Sequence, residues 1–231
     1  MSIAENVAAI RAKMDAAALS CGRDPREILL CAATKMNDAN AVRQAIAAGV
    51  DLCGENRVQE LVQKQKENAY AGAPVHFIGH LQTNKVKQVV GKVDLIQSVD
   101  SLRLLKAIDA EAAKQGIVQN ILLEVNVGQE ESKSGFDVSE VLPLLEQISD
   151  FRHIFVNGLM AIPPISQNYG DNRKFFQKIL QLSVDISAKK YDNVLVKCLS
   201  MGMSDDYEDA ICCGSTMIRV GTAIFGKRNY T

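Results

Sequence analysis

Two hydrophobic periods alternate along this chain. Apolar runs of strand character occupy residues 28–35, 50–53, 75–79, 95–99, 120–127, 156–162, 194–199 and 216–220. Between them, apolar residues recur at the helical period over 38–48, 57–70, 83–90, 101–115, 138–149 and 172–189. Several of these stretches close at a glycine, the residue that tolerates a left-handed helix end. Pro143 falls in the fifth stretch, which places it in the first turns of that helix or makes it a kink. An additional helix opens the chain at a capping box of Ser2 and Glu5, with Ile3, Val7, Ile10 and Met14 on one face.

The first strand run is apolar on both faces until its end, as a buried parallel strand is. Eight strand–helix units within 231 residues predict an α/β fold of the (β/α)8 TIM-barrel type. We expect one domain over 1–231, with the extra helix at its N-terminus. An open doubly wound sheet is the alternative. A glycine-rich dinucleotide fingerprint after the first strand would favour it, but Lys35-Met36-Asn37 stands there.

A formal net charge of −1 argues against nucleic acid or a membrane surface as partner. No apolar run is long enough to span a bilayer, and Met1-Ser2-Ile3-Ala4-Glu5 lacks the basic start of a leader. The expected location is therefore cytoplasmic. Cys31, Cys53 and Cys198 lie in apolar runs, and Cys212 and Cys213 are helical neighbours that point apart. With no Cys-x-x-Cys, neither a zinc site nor a disulfide framework is expected. The helical faces show no obvious apolar interface, which predicts a monomer.

Residues 199–226 carry two adjacent strand exits. The first runs through Ser200, Met201 and Gly202 into a helix from about 205, for which Ser204 is the expected cap. The second is Gly221-Thr222, feeding a one-turn helix at 222–225. Backbone amides at such a helix start gather an anion, and the last two loops of a barrel are its usual phosphate seat. Asp205 and Asp206 already load the first exit with negative charge, so Gly221 and Thr222 are favoured. An ordinary capped helix and tight turn are the plainer alternative.

Chemistry in a barrel belongs at the C-terminal strand ends. Lys35 continues the face of Leu29, Cys31 and Ala33, which puts its amine in the mouth if that face is interior. Partial desolvation would leave more of the neutral amine that imine formation needs. A solvated, snorkelling lysine is the plainer alternative. Asn56 either caps the next helix or bonds a ring substituent. His80 is a candidate site lining; His76, roughly 13 Å away along the strand, is read as structural. Asp100 and Ser101 read first as a helix cap. Arg219 shares a face with Met217 and Gly221, so it points at the ligand of Gly221 or forms a structural ion pair. A lysine, a phosphate seat and an inward arginine suggest one ligand with an aldehyde, a phosphate and a ring: pyridoxal 5'-phosphate.

At these residues the chain resembles the pyridoxal-phosphate homeostasis proteins, single-barrel relatives of the alanine racemase N-terminal domain. The matching stretches are Thr34-Lys35, Gly54-Glu55-Asn56-Arg57-Val58-Gln59-Glu60 and His76-Phe77-Ile78-Gly79-His80-Leu81-Gln82-Thr83-Asn84-Lys85. Ser98-Val99-Asp100-Ser101, Glu131-Ser132-Lys133-Ser134-Gly135 and Gly158-Leu159-Met160 follow in family order. The resemblance implies a fold-type-III barrel holding pyridoxal phosphate as a Schiff base on Lys35. It implies phosphate contacts from Ser200, the backbone near Met201, Gly221 and Thr222, with Arg219 facing the pyridine nitrogen. Met36-Asn37-Asp38 lacks a proline frequent in the family, and Val75 stands where tryptophan is frequent; both bear only on loop shape.

An arginine at the ring nitrogen disfavours its protonation and so weakens the ring as an electron sink. Racemisation needs a second acid–base group, which a related barrel takes as a tyrosine from another domain or subunit. Tyr169 and Tyr207 lie in candidate mouth loops, but their spacing places neither at a substrate carbon. The expectation is a protein that stores, buffers or delivers pyridoxal phosphate, with PLP-dependent apo-enzymes as candidate partners. The alternatives are a weak amino-acid racemase and a barrel enzyme using Lys35 as an aldolase-like base on another phosphorylated metabolite.

Overall fold

The computed structural model of the protein describes residues 1–130, 134–165 and 170–226. Eight parallel strands close into a barrel in chain order: β1 (Leu29–Ala33), β2 (Leu52–Glu55), β3 (Val75–Phe77), β4 (Leu95–Val99), β5 (Gln119–Val125), β6 (Ile154–Ala161), β7 (Val194–Ser200) and β8 (Met217–Val220). The open-sheet alternative is thereby removed. The helices are α1 (Ile3–Ser20), α2 (Ala39–Ala47), α3 (Val58–Lys66), α4 (Leu102–Gln115), α5 (Val138–Glu146), α6 (Arg173–Ala188), α7 (Tyr207–Cys212) and α8 (Thr222–Phe225).

The strand period of two sorts the residues. Leu30, Ala32, Ile218 and Val220 face outward and pack with Val7, Ile10 and Met14 of α1. Cys31, Leu52 and Met217 meet inside the barrel, and Leu95, Leu122 and Met160 form a second inner group. A larger apolar layer lies between β2–β7 and the surrounding helices. Burying each of its leucines and isoleucines is worth roughly 1.5–3 kcal/mol. The Ser2–Glu5 capping box of α1 is present, with Glu5 N–H donating to Ser2 Oγ.

Three local expectations are corrected. The segment after β3 is a 3-10 helix, Thr83–Gln88, and not an α-helix. Its flanking bonds run three residues back, from Lys85 N–H to Gln82 O and from Val89 N–H to Val86 O, as in that tighter helix. Helix α7 starts at Tyr207, and its cap position is Asp206, not Ser204. The Asp206 carboxylate accepts from Met203 N–H at 2.7 Å and so fixes the turn before the helix. Helix α5 ends at Glu146, short of the expected 149, and gives way to a 3-10 turn at Ile148–Asp150, with Pro143 in its second turn. No helix among the described residues is long and apolar enough to cross a membrane.

Candidate functional site

The C-terminal end of β1 is flanked by glycines on both sides. Ala33 pairs with Gly54 of β2. A Cβ added to Gly221, just past β8, would come within 3.3 Å of Ala33 Cβ and its carbonyl oxygen. Lys35 follows Ala33 by one strand period and is half-buried at this opening.

The backbone on both sides of Lys35 is held by β2 and by α3. Thr34 N–H donates to Gly54 O at 2.9 Å, while its carbonyl accepts from the Lys64 ammonium at 2.7 Å. Met36, in the left-handed region at φ 61, donates its N–H to Glu60 Oε2 at 2.6 Å. Glu55 is fully buried behind β2 and accepts at one oxygen from Lys64 (2.7 Å), from Tyr70 (2.8 Å) and from the Thr34 hydroxyl. Sequence reasoning missed this cluster. Its signal was a carboxylate ending an apolar run, nine residues before a lysine on the inner face of an amphipathic helix.

Arg219 points inward from β8 and is 4% exposed. Its guanidinium donates to Ser200 O (2.7 Å), Ser200 Oγ (2.6 Å) and Ala161 O (3.1 Å). No carboxylate lies within ion-pair distance of it among the described residues, so the structural ion pair is excluded there. Burial lowers its pKa from the ordinary arginine range. Ser200 Oγ donates onward to Gln97 Oε1 at 2.6 Å.

The expected anion contacts divide. Ser200 and Met201 are buried, and Met201 N–H donates to Met217 O at 3.1 Å. The Ser200 hydroxyl is committed inward and the Met201 amide to the barrel wall, so both support the exit from beneath. Gly221 is the cap residue of α8, with no side chain bonded to the helix start. The first amides of that helix have no partner within it, which leaves Thr222 at an anion-ready terminus.

Asn56 and His80 come together. A Cβ on Gly79 would collide with the Asn56 backbone, so only glycine lets the exits of β3 and β2 run this close. A cavity of about 280 Å³ opens there, lined by Asn56, Gly79, His80, Glu124, Asn126 and Ile162, among others. Asn56 does not cap α3; Arg57 holds that position without a capping bond. Asn56 Oδ1 is buried with no hydrogen-bond partner. His80 is exposed and its Nδ1 lies 3.0 Å from Asp100 Oδ2. Ser101, not Asp100, caps α4. Glu124, on the inward row of β5, was also missed. Burial first, then Asp100, pushes its carboxyl up to about 7, against the pull of Arg219 and His80.

Tyr207 does not line the mouth: it is 5% exposed in the layer under α1. Tyr169, Glu131 and Lys133 lie outside the described residues. Among those described, no cluster of His, Cys, Asp or Glu could hold a metal, and all six cysteines are free. Burial raises the pKa of Cys53 to about 12 and that of Cys198 to about 11, as for inert core thiols.

Comparison with known proteins bears on this mouth. The family model described as alanine racemase, N-terminal domain, matches residues 2–229. The pyridoxal phosphate homeostasis protein of Escherichia coli K12 is 39% identical, over 99% of this chain and 98% of its own. That of Aquifex aeolicus is also 39% identical, over the full length of both. PipY of Synechococcus elongatus PCC7942, solved with PLP bound, is 32% identical with a TM-score of 0.84, covering 97% of this chain and 100% of its own. Near-full-length matches at this identity establish that the chain belongs to the pyridoxal phosphate homeostasis protein family.

Proposed function

We propose that this protein binds pyridoxal 5'-phosphate at the C-terminal mouth of its barrel and stores, buffers or delivers it, without efficient catalysis of its own. Lys35 is the attachment point, Asn56 and His80 line the ring, and Arg219 answers the ring nitrogen. Gly221 and Thr222 hold the phosphate, backed by Ser200 and Met201.

Arg219 carries the reading. A buried guanidinium without a carboxylate partner is costly unless something at the mouth meets its remaining N–H groups. A ring nitrogen with a free lone pair does so. The orphaned Asn56 Oδ1 and the uncapped start of α8 are further vacant bonding positions that fit a ring substituent and a phosphate. The similarity to PipY, solved with PLP bound, supports the same ligand.

When bound, the cofactor supplies an aldehyde that condenses with a primary amine and a ring that withdraws electrons. Lys35 supplies the amine. Arg219 would donate to the ring nitrogen and disfavour its protonation, which would limit that withdrawal and so limit turnover. The racemase alternative needs a second acid–base group; Tyr207 is sealed in the core and does not serve. On the same reading, residues 1–231 form one functional domain, and the protein is a cytoplasmic monomer with PLP-dependent apo-enzymes as recipients.

The test is an absorption spectrum from 300 to 500 nm with pyridoxal phosphate, before and after borohydride, with peptide mapping of the reduced protein. A visible band lost on reduction, with the mass tag on Lys35 and no band in Lys35→Ala, is the expected result. A protein that takes up no pyridoxal phosphate overturns the reading. Lys35-dependent exchange of α-deuterium on amino acids would replace it with the racemase.

A further inference from the structure

A hydrogen-bonded chain crosses the barrel interior from Arg219 at the mouth toward the opposite end. Arg219 donates to Ser200 Oγ at 2.6 Å, and Ser200 Oγ donates to Gln97 Oε1 at 2.6 Å. Gln97 Nε2 then donates to His76 Nδ1 at 2.8 Å and to Met217 Sδ at 3.1 Å. Ser200, Gln97, His76 and Arg219 are all more than nine-tenths buried. His76 also lines a cavity of about 390 Å³ at the N-terminal end of the barrel.

Every donor in this chain points the same way. Arginine has only donors, so Ser200 Oγ must accept from it and can turn its own hydrogen downward. Met217 sulfur is an acceptor only, so the Gln97 amide turns its nitrogen, not its oxygen, toward the sulfur. With both amide hydrogens directed to Met217 and His76, Gln97 Oε1 is left for Ser200. His76 must then be unprotonated at Nδ1, with its hydrogen on Nε2. Desolvation keeps the imidazole neutral, its pKa lowered to about 4, with Asp94 the one charged group opposing that shift. The chain therefore holds its direction throughout the neutral range.

We propose that Gln97, with Ser200 and His76, is a positioning relay that fixes the Arg219 guanidinium at the ring nitrogen and keeps the Ser200 hydroxyl hydrogen directed away from the phosphate. This inference rests on the cofactor reading above and deepens it: Ser200 acts through Arg219, not on the ligand. Without the relay the Gln97 amide can turn over, the Ser200 hydrogen is released toward the mouth, and the guanidinium loses one side of its seat.

Two measurements test it on the full chain. Long-range ¹H–¹⁵N correlation of the histidines reads the His76 tautomer without any cofactor; a neutral ring protonated at Nε2 is expected, and an Nδ1–H tautomer overturns the relay. Pyridoxal phosphate titrations of wild type, Ser200→Ala and the isosteric Gln97→Glu then compare affinity and the visible band over pH 6–9. We expect about tenfold weaker binding for Ser200→Ala, the size of one hydrogen bond to a charged group. We also expect a shifted or newly pH-dependent band for Gln97→Glu, while Met160→Leu, a neighbour outside the relay, leaves both readouts unchanged. Folded variants that match wild type in both overturn the relay alone. A wild-type protein that binds no pyridoxal phosphate overturns the cofactor reading and the relay's purpose together.

Discussion

The ammonium of Lys64 donates to the carbonyl oxygen of Thr34 at 2.7 Å, one residue ahead of Lys35. The same ammonium pairs with Glu55 at 2.7 Å in a setting where Lys64 is 5% exposed and Glu55 is sealed. Removing one partner of a buried ion pair leaves the other charge uncompensated, at a cost of about 3–5 kcal/mol. Lys64→Met is therefore expected to lose that much in urea unfolding and to slow cofactor uptake at Lys35. The double variant Lys64→Met/Glu55→Gln should recover most of the stability but not the uptake rate. A loss below about 1 kcal/mol in the single variant would show that the pair does not hold β1's end.

Glu124 sets a pH dependence with a definite sign. Its folded pKa stands at about 7 against an ordinary value of 4.5, so the folded state holds its proton more tightly than the unfolded chain does. Stability from this group is full below pH 4.5 and is lost as pH rises toward 7, by roughly 3 kcal/mol at most. Thermal unfolding between pH 5 and 8 should fall more steeply in wild type than in Glu124→Gln. Parallel profiles would remove Glu124 as the titrating group.

Gly221→Ala separates binding from folding. The backbone at Gly221 has φ −118, outside the left-handed region, and the added methyl meets the Ala33 Cβ and carbonyl oxygen at 3.3 Å, a tight contact that a shift of a few tenths of an ångström relieves. A stability change within about 1 kcal/mol is expected, alongside at least tenfold weaker pyridoxal phosphate binding. Unchanged affinity for both pyridoxal phosphate and inorganic phosphate would move the phosphate seat away from α8.

Asn56 carries a buried oxygen with no partner, which penalises the ligand-free protein. Asn56→Ala should therefore leave that protein as stable as wild type or slightly more so, while weakening the cofactor complex. A clear loss of stability without ligand would mean the amide is structural. Differential scanning fluorimetry with and without pyridoxal phosphate distinguishes the two.

The strand–helix alternation was legible because one physical pattern recurs: an apolar strand run, then a helical period that in several units closes at a glycine. The facing of Lys35 and Arg219 followed from the strand period, and Gly221 from a glycine at a strand exit that feeds a helix start. Glu55 and Glu124 did not, for opposite reasons. Glu55 faces outward from β2, where its meaning depends on Lys64 and Tyr70 arriving from a helix and a loop. Glu124 faces inward, but its raised pKa comes from Asp100 and from burial, both products of barrel closure. Asn56 was open between a cap, which its type and place favour, and a contact with a ring substituent. The tight approach of Gly79 moved the helix start on to Arg57 and left Asn56 facing the cavity.

The ring of strands has one joint that no consecutive crossover spans, where β8 meets β1. Helix α1 lies over it, and its Asn6 side chain donates to Ile224 O of α8 at 2.8 Å. Lys35 lies just past one side of this joint and Gly221 just past the other. A ligand attached at Lys35 and seated by its phosphate at Gly221 would bridge the seam like a clasp, joining parts of the chain some 190 residues apart. Carrying cargo would then brace the barrel where its circuit closes. Surrendering it would relax that same seam, so loading would be felt in the mechanical integrity of the whole ring.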